Sequence, residues 1–287
     1  MKALVFGHNG QVATELRRRA QAQGVTVEAL DRSLADLSDP SQCAAVIGKT
    51  DAEVIINAAA YTAVDQAEEE RDLAQRINGD SPGAMARAAA ERGLPFLHIS
   101  TDYVFDGSGT TPWRTKNPTG PLGAYGQTKL NGERQIAEAG GSYAILRTSW
   151  VFSAHGKNFV KTILRLAETR DRLTIVADQI GGPTPAADIA DTLLKMAKTG
   201  SEVEGGVFHY SGAPNVSWAD FAREIVSQSG LPVQIEDIPT EAYPTPAPRP
   251  LNSRLDCSRL KDVFEIQRPD WKAGLAAILS ELKSAIS

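Results

Sequence analysis

A tyrosine and a lysine lie four residues apart in the run GAYGQTKLNGE at 123–133, where a helical pattern follows the breaker-rich run PTGPLG. Residues at this spacing share one face of a helix, so the ammonium group of Lys129 can lie near the phenol of Tyr125. Free tyrosine has a pKa of about 10, and a nearby cation lowers it by favouring the phenolate. The pair is therefore predicted to act as an acid suited to neutral pH, with Lys129 also able to hold the ribose of a nicotinamide cofactor.

Hydroxyl and carboxylate side chains end an earlier hydrophobic run, in STDYVFDG at 100–107. Ser100 and Thr101 stand where a strand would enter a ligand crevice, and we assign Ser100 to the cofactor side and Thr101 to the substrate side. A hydroxyl there can bind a substrate carbonyl and share its proton with Tyr125, while Asp102 can hold a sugar hydroxyl. The alternative for each is a turn-forming role. Together with Tyr125 and Lys129, these residues predict hydride transfer with a nicotinamide cofactor.

These residues must be positioned by an alternation of short hydrophobic runs and longer helical patterns. Because the hydrophobic runs are nearly continuous, both faces of the sheet that they form are expected to be covered. The alternation predicts an α/β fold with a Rossmann-type, doubly wound parallel sheet. The candidate strands cover 2–6, 25–30, 52–59, 94–100 and 143–150, and the candidate helices cover 11–23, 40–48, 66–92 and 124–139.

After Trp150 the alternation becomes less regular. We predict a dinucleotide-binding domain over 1–150 and a smaller α/β substrate lobe over 151–287, with the helix near 186–198 returning to the first sheet. The remaining candidate helices cover 157–170, 217–229 and 270–286, and the candidate strands cover 172–178, 206–211 and 233–238.

A glycine-rich loop, GHNGQVA at 7–13, follows the first strand and opens the first helix. Gly7 permits a tight turn, and Gly10 lets the backbone approach a pyrophosphate at the positive end of the helix. The third small residue is Ala13. An ordinary strand–helix turn is the alternative, but the position of the loop after the first strand favours dinucleotide binding.

The second strand ends at Asp31, whose carboxylate can accept hydrogen bonds from the adenosine ribose of NAD. Arg32 follows and can instead hold a 2′-phosphate, so the choice between NADH and NADPH stays open. Asp36 and Leu37, in the next loop, can lie beside the adenine, although Asp36 also suits a turn or a helix cap.

The third strand ends in NAAAYT at 57–62. Its three alanines, Ala58, Ala59 and Ala60, leave room for a flat ligand, with Thr62 beside them. Open α/β sheets bind ligands at this edge. Tight helix packing is the alternative.

Composition excludes several classes of protein. The chain has 287 residues, of which 42% are hydrophobic, and a net charge of −5 with lysine and arginine scattered. The basic stripe expected of a nucleic-acid-binding protein is missing. Its two cysteines, which lack a CxxC spacing, argue against a disulfide framework or a zinc site, and it has no membrane-spanning run. The first apolar run is too short for a signal peptide, and we expect a cytoplasmic protein without metal.

The chain resembles the extended short-chain dehydrogenase/reductase superfamily and, within it, the dTDP-4-dehydrorhamnose reductases. The resemblance extends from 6 to 255, and its last three motifs are not general to the superfamily. The motifs are FGHNGQVA, NAAAYTAVDQAE, STDYVFDG, YGQTKLNGE, RTSWVF, DQIGGPT and YPTPAPRPLNSRL.

The resemblance implies reduction of dTDP-4-dehydro-β-L-rhamnose to dTDP-L-rhamnose, a precursor of bacterial surface polysaccharide, with NADPH or NADH. Tyr125 would be the proton donor, Lys129 its pKa partner and ribose anchor, and Thr101 the hydroxyl that tunes the site. The resemblance further places Gly7, Gly10, Gln11 and Val12 along the cofactor diphosphate, Asp31 at the adenosine ribose, Ala58 to Thr62 beside the nicotinamide half, and Asp102 and Trp150 at the sugar nucleotide.

One arginine, Arg249, lies within the proline-rich run YPTPAPRP, and a second, Arg254, follows it. Prolines stiffen a loop and reduce the entropy lost on ordering it, and arginine forks match phosphate oxygens. Arg249 and Arg254 are therefore predicted to bind the substrate diphosphate. A polyproline linker or an SH3-type ligand is the alternative.

The resemblance also implies, for some members, Mg²⁺-dependent homodimers with carboxylates at the interface. Glu15 is a candidate ligand, but Ala187 stands where a second carboxylate is expected, which argues against a metal site. Two other functions stay open. One is a non-catalytic NADP-binding regulatory subunit resembling that of methionine adenosyltransferase, and the other is a nucleotide-sugar epimerase or dehydratase that retains NAD⁺.

Overall fold

A six-stranded parallel sheet forms the centre of the molecule. The computed structural model describes residues 1–199 and 205–284. The strands are β1 (Lys2–Phe6), β2 (Thr26–Leu30), β3 (Val54–Asn57), β4 (Phe96–Thr101), β5 (Tyr143–Thr148) and β10 (Gly206–His209). They pair in the order β10-β5-β4-β3-β1-β2. The predicted parallel α/β sheet is confirmed.

Helices cover both faces of this sheet. One face packs on α1 (Gln11–Arg19) and α7 (Ala186–Thr199), and the other on α2 (Pro40–Lys49), α4 (Ser81–Glu91) and α5 (Ala124–Glu138). The side chains of Leu4 and Ile55 are buried under the second group, whereas those of Val5 and Ile56 are buried under the first. This alternation explains why each strand reads as a continuous hydrophobic run.

The segment predicted as one helix over 66–92 is helical over most of its length. It contains a 3₁₀ turn (Gln66–Glu68) and then an unbroken helical run over 71–91, made of α3 (Arg71–Gln75), a π turn (Arg76–Asp80) and α4. The backbone of Gln75, Asp80 and Ser81 keeps right-handed helical angles, so the chain does not leave the helix before Pro82. The prediction of one helix is therefore confirmed over 71–91, whereas 66–70 lies outside it.

The segment after Trp150 builds a second hydrophobic cluster and also returns to the large sheet. The cluster is formed mainly by α6 (Phe159–Ala167), β7 (Arg172–Val176), α8 (Trp218–Ser229) and α10 (Trp271–Ser284), with Trp271 at its centre. Strand β12 (Gln234–Ile238) pairs with β7 in parallel. The division at 150 stays a prediction, and the predicted end of the last helix at 286 lies outside the described residues.

The remaining elements are short. They are β6 (Val151–Phe152), β8 (Ile180–Gly181), β9 (Thr184–Pro185), β11 (Val216–Ser217), β13 (Asn252–Ser253) and α9 (Ser258–Phe264). Strands β8, β11 and β13 form a small sheet that ties the loop after 244 to the lobe. Within the described part of the chain, no helix has both the length and the apolar character needed to cross a membrane.

Candidate active site

Helix α5 presents three ionisable side chains at intervals of four residues, Tyr125, Lys129 and Glu133. The helix begins just after Gly123, where the breaker-rich run ends. It lies very close to the loop after β4, because a Cβ atom added at Gly126 would collide with the carbonyl oxygen of Tyr103. The predicted tyrosine and lysine are therefore brought to the carboxyl end of β4.

The Tyr125 ring packs edge-on against Tyr103, with 5.5 Å between the ring centroids. Burial raises the pKa of Tyr125 to about 12, and the nearby Thr101 hydroxyl opposes this rise. The predicted net lowering of the Tyr125 pKa is not found in this structure, because desolvation disfavours the phenolate more strongly than its neighbours favour it. Tyr125 therefore keeps its proton at neutral pH, as a proton donor must.

Lys129 is buried, with 1% of its surface exposed. Its Nζ donates to the carbonyl oxygen of Ile99 at 2.7 Å and lies 2.9 Å from Nε2 of His98. Burial lowers the pKa of Lys129 to about 8, while the negative charge of Glu133 opposes the change. The lysine is thus close to its own titration point at neutral pH.

Glu133 holds a buried cluster of polar groups behind Lys129. Its carboxylate accepts two hydrogen bonds from Arg147, of 2.9 and 2.6 Å, and a third of 2.5 Å from the Ser100 hydroxyl. Ser100 shares this side of β4 with His98, because alternate side chains of a strand point the same way. The Ser100 hydroxyl, predicted to meet the cofactor, is instead turned towards Glu133.

Thr101 and Asp102 lie at the end of β4 as predicted. The Thr101 hydroxyl donates to Oδ1 of Asp102 at 3.1 Å and accepts from the backbone N–H of Tyr103. Burial raises the pKa of Asp102 to about 6, and the hydroxyls of Ser253 and Thr101 moderate the rise. A buried carboxylate beside the proton donor suits recognition of a sugar hydroxyl.

Trp150 has a left-handed backbone conformation, with φ at 49°. Its indole stacks on that of Trp218, with the ring planes 12° apart. A Cβ atom at Gly181 would lie 2.8 Å from the Trp150 ring, so a glycine is needed to admit it. Backbone strain of this kind is concentrated at functional sites, and the predicted contact of Trp150 with the sugar nucleotide stays a prediction.

A crevice at the carboxyl edge of β1, β2 and β3 gathers residues that were predicted from separate motifs. It encloses about 270 Å³. Gly7 has a φ of 116°, and a Cβ atom there would touch the backbone of Ala58 and Ala59 at 3.4 Å. The members predicted to bind cofactor are Gly7, Asp31, Arg32, Asp36, Leu37, Ala59 and Ala60. Ala58 is half-buried next to them, and Thr62 is exposed.

The amino end of α1 has free space around it. Gly10 precedes the helix, no side chain among the described residues caps its first turn, and a Cβ atom at Gly10 would meet nothing within 4 Å. The first backbone N–H groups of the helix therefore face open space, where a diphosphate is favoured. With the crevice beside it, this arrangement fits a dinucleotide.

The side chains of Gln11 and Val12 point into the protein. Gln11 accepts hydrogen bonds from Ser153 and Asn158, both at 3.0 Å, and Val12 is 8% exposed within the hydrophobic core. Their backbone groups remain available to the diphosphate that the sequence places beside them.

The two acidic side chains of the crevice also shape its loops. Asp31 accepts from the N–H and hydroxyl of Ser33, and Asp36 does the same from Ser38. These hydrogen bonds lower the pKa of both carboxyls. Arg32 is 78% exposed and pairs with Asp36 at 3.0 Å. Its guanidinium is free to turn, so the geometry keeps both cofactors open.

The two arginines predicted to bind diphosphate have different hydrogen-bond partners. Arg249 donates to Asp65 at 2.8 Å and to the carbonyl oxygen of Ala247 at 3.0 Å. Arg254 donates to Asn252 at 3.0 Å, and its burial lowers its pKa. The structure thus ties the proline-rich loop to the loop after β3 through Asp65.

The residues around Glu15 do not fit a Mg²⁺ ion. Ligand atoms of Glu15, His155 and Glu281 lie within 4.8 Å of one another. However, Nη1 of Arg18 already lies 3.0 Å from Glu15, 2.9 Å from Glu281 and 2.7 Å from His155. A divalent cation there would face a guanidinium, and Ala187 on the wall of the same groove offers no ligand.

Sequence reasoning missed Glu133 and the contact partners of Lys129. Glu133 was detectable, because it continues the four-residue spacing of Tyr125 and Lys129. His98 is buried in β4, and its ring contacts Lys129.

Comparisons with known proteins agree with this geometry. Residues 1–284 match the family model described as the RmlD substrate binding domain. The chain is 44% identical over 280 residues to a dTDP-4-dehydrorhamnose reductase of Sinorhizobium fredii, covering 95% of this chain and 94% of that protein.

Solved structures give the same result. A dTDP-4-dehydrorhamnose reductase of Clostridium acetobutylicum superposes with a TM-score of 0.93 at 36% identity, covering 99% of this chain and 100% of that one. A dTDP-4-dehydrorhamnose reductase of Bacillus anthracis, solved in complex with NADP, gives 0.92 at 35% identity, covering 98% and 99%.

Proposed function

This chain belongs to the dTDP-4-dehydrorhamnose reductase family, and we infer that it is an oxidoreductase that reduces the 4-keto group of dTDP-4-dehydro-β-L-rhamnose with NADPH or NADH. The product is dTDP-L-rhamnose, a nucleotide sugar used for polysaccharide. One observation supports the proposal most strongly: the buried Tyr125 phenol, the Thr101 hydroxyl that lowers its pKa and Lys129, one helical turn further on, are brought together at the carboxyl end of β4.

When bound, the reduced nicotinamide supplies the hydride for the carbonyl carbon. Tyr125, protonated at neutral pH, donates its hydroxyl proton to the carbonyl oxygen. The Thr101 hydroxyl, which lowers the pKa of Tyr125, is placed to orient the phenol and the carbonyl oxygen. The ammonium of Lys129, one helical turn away, stabilises the phenolate that the proton leaves behind.

The other roles follow from position. We propose that the crevice and the uncapped end of α1 hold the cofactor, with Asp31 or Arg32 at the adenosine ribose. Asp102 and Trp150 would hold the hexose, and Arg249 and Arg254 the diphosphate, where guanidinium groups match phosphate oxygens.

Location and assembly are further proposals. Cys43 and Cys257 are unpaired and buried, and free thiols are typical of a reducing cytosol. We therefore place the reaction in the cytoplasm. The predicted homodimer stays a prediction.

The proposal is tested by mixing the purified chain with dTDP-4-dehydro-β-L-rhamnose and either NADPH or NADH, and following the absorbance of the reduced cofactor. We expect one cofactor oxidised per product formed, and much slower oxidation with UDP-linked ketosugars. Folded protein that consumes no cofactor with fresh substrate would overturn the proposal. Product formed without added cofactor, with NAD⁺ retained through purification, would instead indicate an epimerase or dehydratase.

A further inference from the structure

Three side chains from three elements form a buried row behind the proton donor. Asn57 ends β3, His98 lies in β4, and Lys129 lies on α5. Nδ2 of Asn57 is 3.1 Å from Nδ1 of His98, and Nε2 of His98 is 2.9 Å from Nζ of Lys129. Asn57 and His98 have no exposed surface, so water does not compete for these contacts.

The direction of each hydrogen bond is fixed from one end of the row. The backbone N–H of Ala59 donates to Oδ1 of Asn57 at 3.1 Å. The amide NH₂ of Asn57 must then face His98, and an amide nitrogen only donates. Nδ1 of His98 is therefore the acceptor, and the neutral ring carries its proton on Nε2. Burial, together with the charge of Lys129, keeps the pKa of His98 well below its usual value, so the ring stays neutral.

This tautomer determines how His98 can interact with Lys129. An ammonium group only donates, and Nε2–H also donates, so the contact is unfavourable while Lys129 is charged. It becomes a hydrogen bond when Lys129 is a neutral amine, because the amine nitrogen then accepts. The carbonyl oxygen of Ile99 can take a proton of Lys129 in either state.

We propose that Asn57 and His98 are positioning residues for the reduction, because together they stabilise the neutral amine that Lys129 becomes after giving a proton to the Tyr125 phenolate. The inference rests on the proposed function. The steps balance: the Tyr125 O–H bond breaks as the substrate O–H bond forms. A Lys129 N–H bond then breaks as the Tyr125 O–H bond re-forms, and the amine regains a proton from water before the next turnover.

The nearby negative charge of Glu133, one turn further along α5, has the opposite effect on Lys129 and favours its ammonium form. That negative charge is shared with Arg147 of β5 and Ser100 of β4. Tyr125 lies one turn earlier on the same helix. His98 is thus the neighbour whose hydrogen bond favours the neutral amine, and its loss should raise the pKa of Lys129.

Substitution of Asn57 by aspartate should reverse the donor and acceptor roles of the His98 ring nitrogens. In Asn57→Asp, one carboxylate oxygen still accepts from Ala59, and the other accepts from Nδ1 of His98. The imidazole proton moves to Nδ1, and Nε2 becomes an acceptor for the charged Lys129. Because Lys129 must be charged to stabilise the phenolate, the alkaline limb of the pH profile of kcat should move up by about one unit. KM should change little. His98→Gln should move the limb in the same direction.

Long-range ¹H–¹⁵N NMR of the ¹⁵N-labelled full chain tests the tautomer without substrate or cofactor. His209 is the internal control: its Nδ1 lies 3.0 Å from the carbonyl oxygen of Trp113, which only accepts, so His209 carries its proton on Nδ1. We expect opposite tautomers for His98 and His209, with the His98 signals assigned by their loss in His98→Gln.

A proton on Nδ1 of wild-type His98 would overturn the inference, whatever the turnover. If Asn57→Asp folds and its His98 tautomer is reversed, an alkaline limb of the kcat profile that stays at its wild-type pH would also overturn it. If Asn57→Asp does not fold, an alkaline limb that stays in place in His98→Gln would do the same. A wild-type chain with the expected tautomer that does not reduce the sugar would overturn the proposed function and leave the hydrogen-bond row standing.

Discussion

Arg147 and Glu133 form a two-pronged ion pair inside the protein, with side-chain exposures of 5% and 4%. The guanidinium also lies over the Phe105 ring, 5.0 Å from its centroid. The pair joins β5 to α5 and lies behind the proposed catalytic residues. Each charge compensates the other, so removing one residue alone leaves the charge of the other buried and unpaired.

Replacing Glu133 alone should therefore be strongly destabilising. We expect Glu133→Ala to lower the free energy of unfolding by about 3–5 kcal/mol in urea denaturation, because it leaves the Arg147 charge uncompensated. The double variant Glu133→Leu with Arg147→Met should lose much less. The exposed pair of Arg172 and Glu236 is the matched control, and Glu236→Ala should leave the midpoint nearly unchanged. Equal losses in the single and double variants would contradict this prediction.

Removal of the Tyr125 hydroxyl should affect turnover and leave cofactor binding intact. In Tyr125→Phe we expect kcat to fall by about 10²–10⁴-fold, the usual contribution of a positioned acid. The dissociation constant for NADPH, measured by fluorescence, should stay within about twofold of wild type. Tyr243→Phe, at a side chain that is 60% exposed, is the control. Unchanged turnover in Tyr125→Phe would remove this residue from the mechanism.

Asp102 should make stability depend on pH. Burial raises the pKa of its carboxyl from 3.8 to about 6, so the folded protein binds this proton more tightly than the unfolded chain does. Stability is therefore lost as pH rises from about 4 to about 6, and the penalty is complete above that. Asp102→Asn should be more stable at pH 7 by on the order of 2 kcal/mol, with the gain disappearing near pH 4.

Urea unfolding at several pH values measures this gain. Asp106→Asn is the control, because hydrogen bonds from Ser108 lower the pKa of that carboxyl and no gain is expected. A difference between Asp102→Asn and wild type that does not vary with pH would show that the carboxyl does not titrate as described.

Arg249 can bind the substrate diphosphate or hold its loop to Asp65, and variants of the two residues distinguish these roles. If Arg249 binds the substrate diphosphate, Arg249→Ala should raise KM for the nucleotide sugar by about 10–100-fold, the value of a charge-assisted hydrogen bond. Asp65→Asn keeps the guanidinium and should change KM by less than about threefold. Equal increases of KM in the two variants would mean that Arg249 serves to fasten the loop to Asp65.

Much of the fold could be predicted from the sequence because buried parallel strands have a simple signature. Strand β1 was predicted with its observed ends, and β5 differs only at its carboxyl end. Helix α9 was missed, since a seven-residue helix spans too few turns to show a period. The short strands β8 and β13 depend on tertiary pairing rather than on their own residues.

The site was predictable where spacing along one helix determines it, as for Tyr125 and Lys129. The pKa of Tyr125 could not be predicted from the sequence, because it depends on how deeply the ring is buried. Burial depends on everything packed around the ring, and it changes the pKa more than a single neighbour does. The Asp65 partner of Arg249 lies far away in sequence. No local pattern reports such a contact.

The position of β10 at the edge of the large sheet has a consequence for synthesis on the ribosome. Strand β5 is made well before its neighbour β10, and α7, which covers one face of the sheet, also emerges after β5. For that interval the nascent chain exposes an unpaired strand edge and an uncovered apolar face, both of which favour aggregation. Chaperone protection should therefore matter most between the emergence of Thr148 and that of His209.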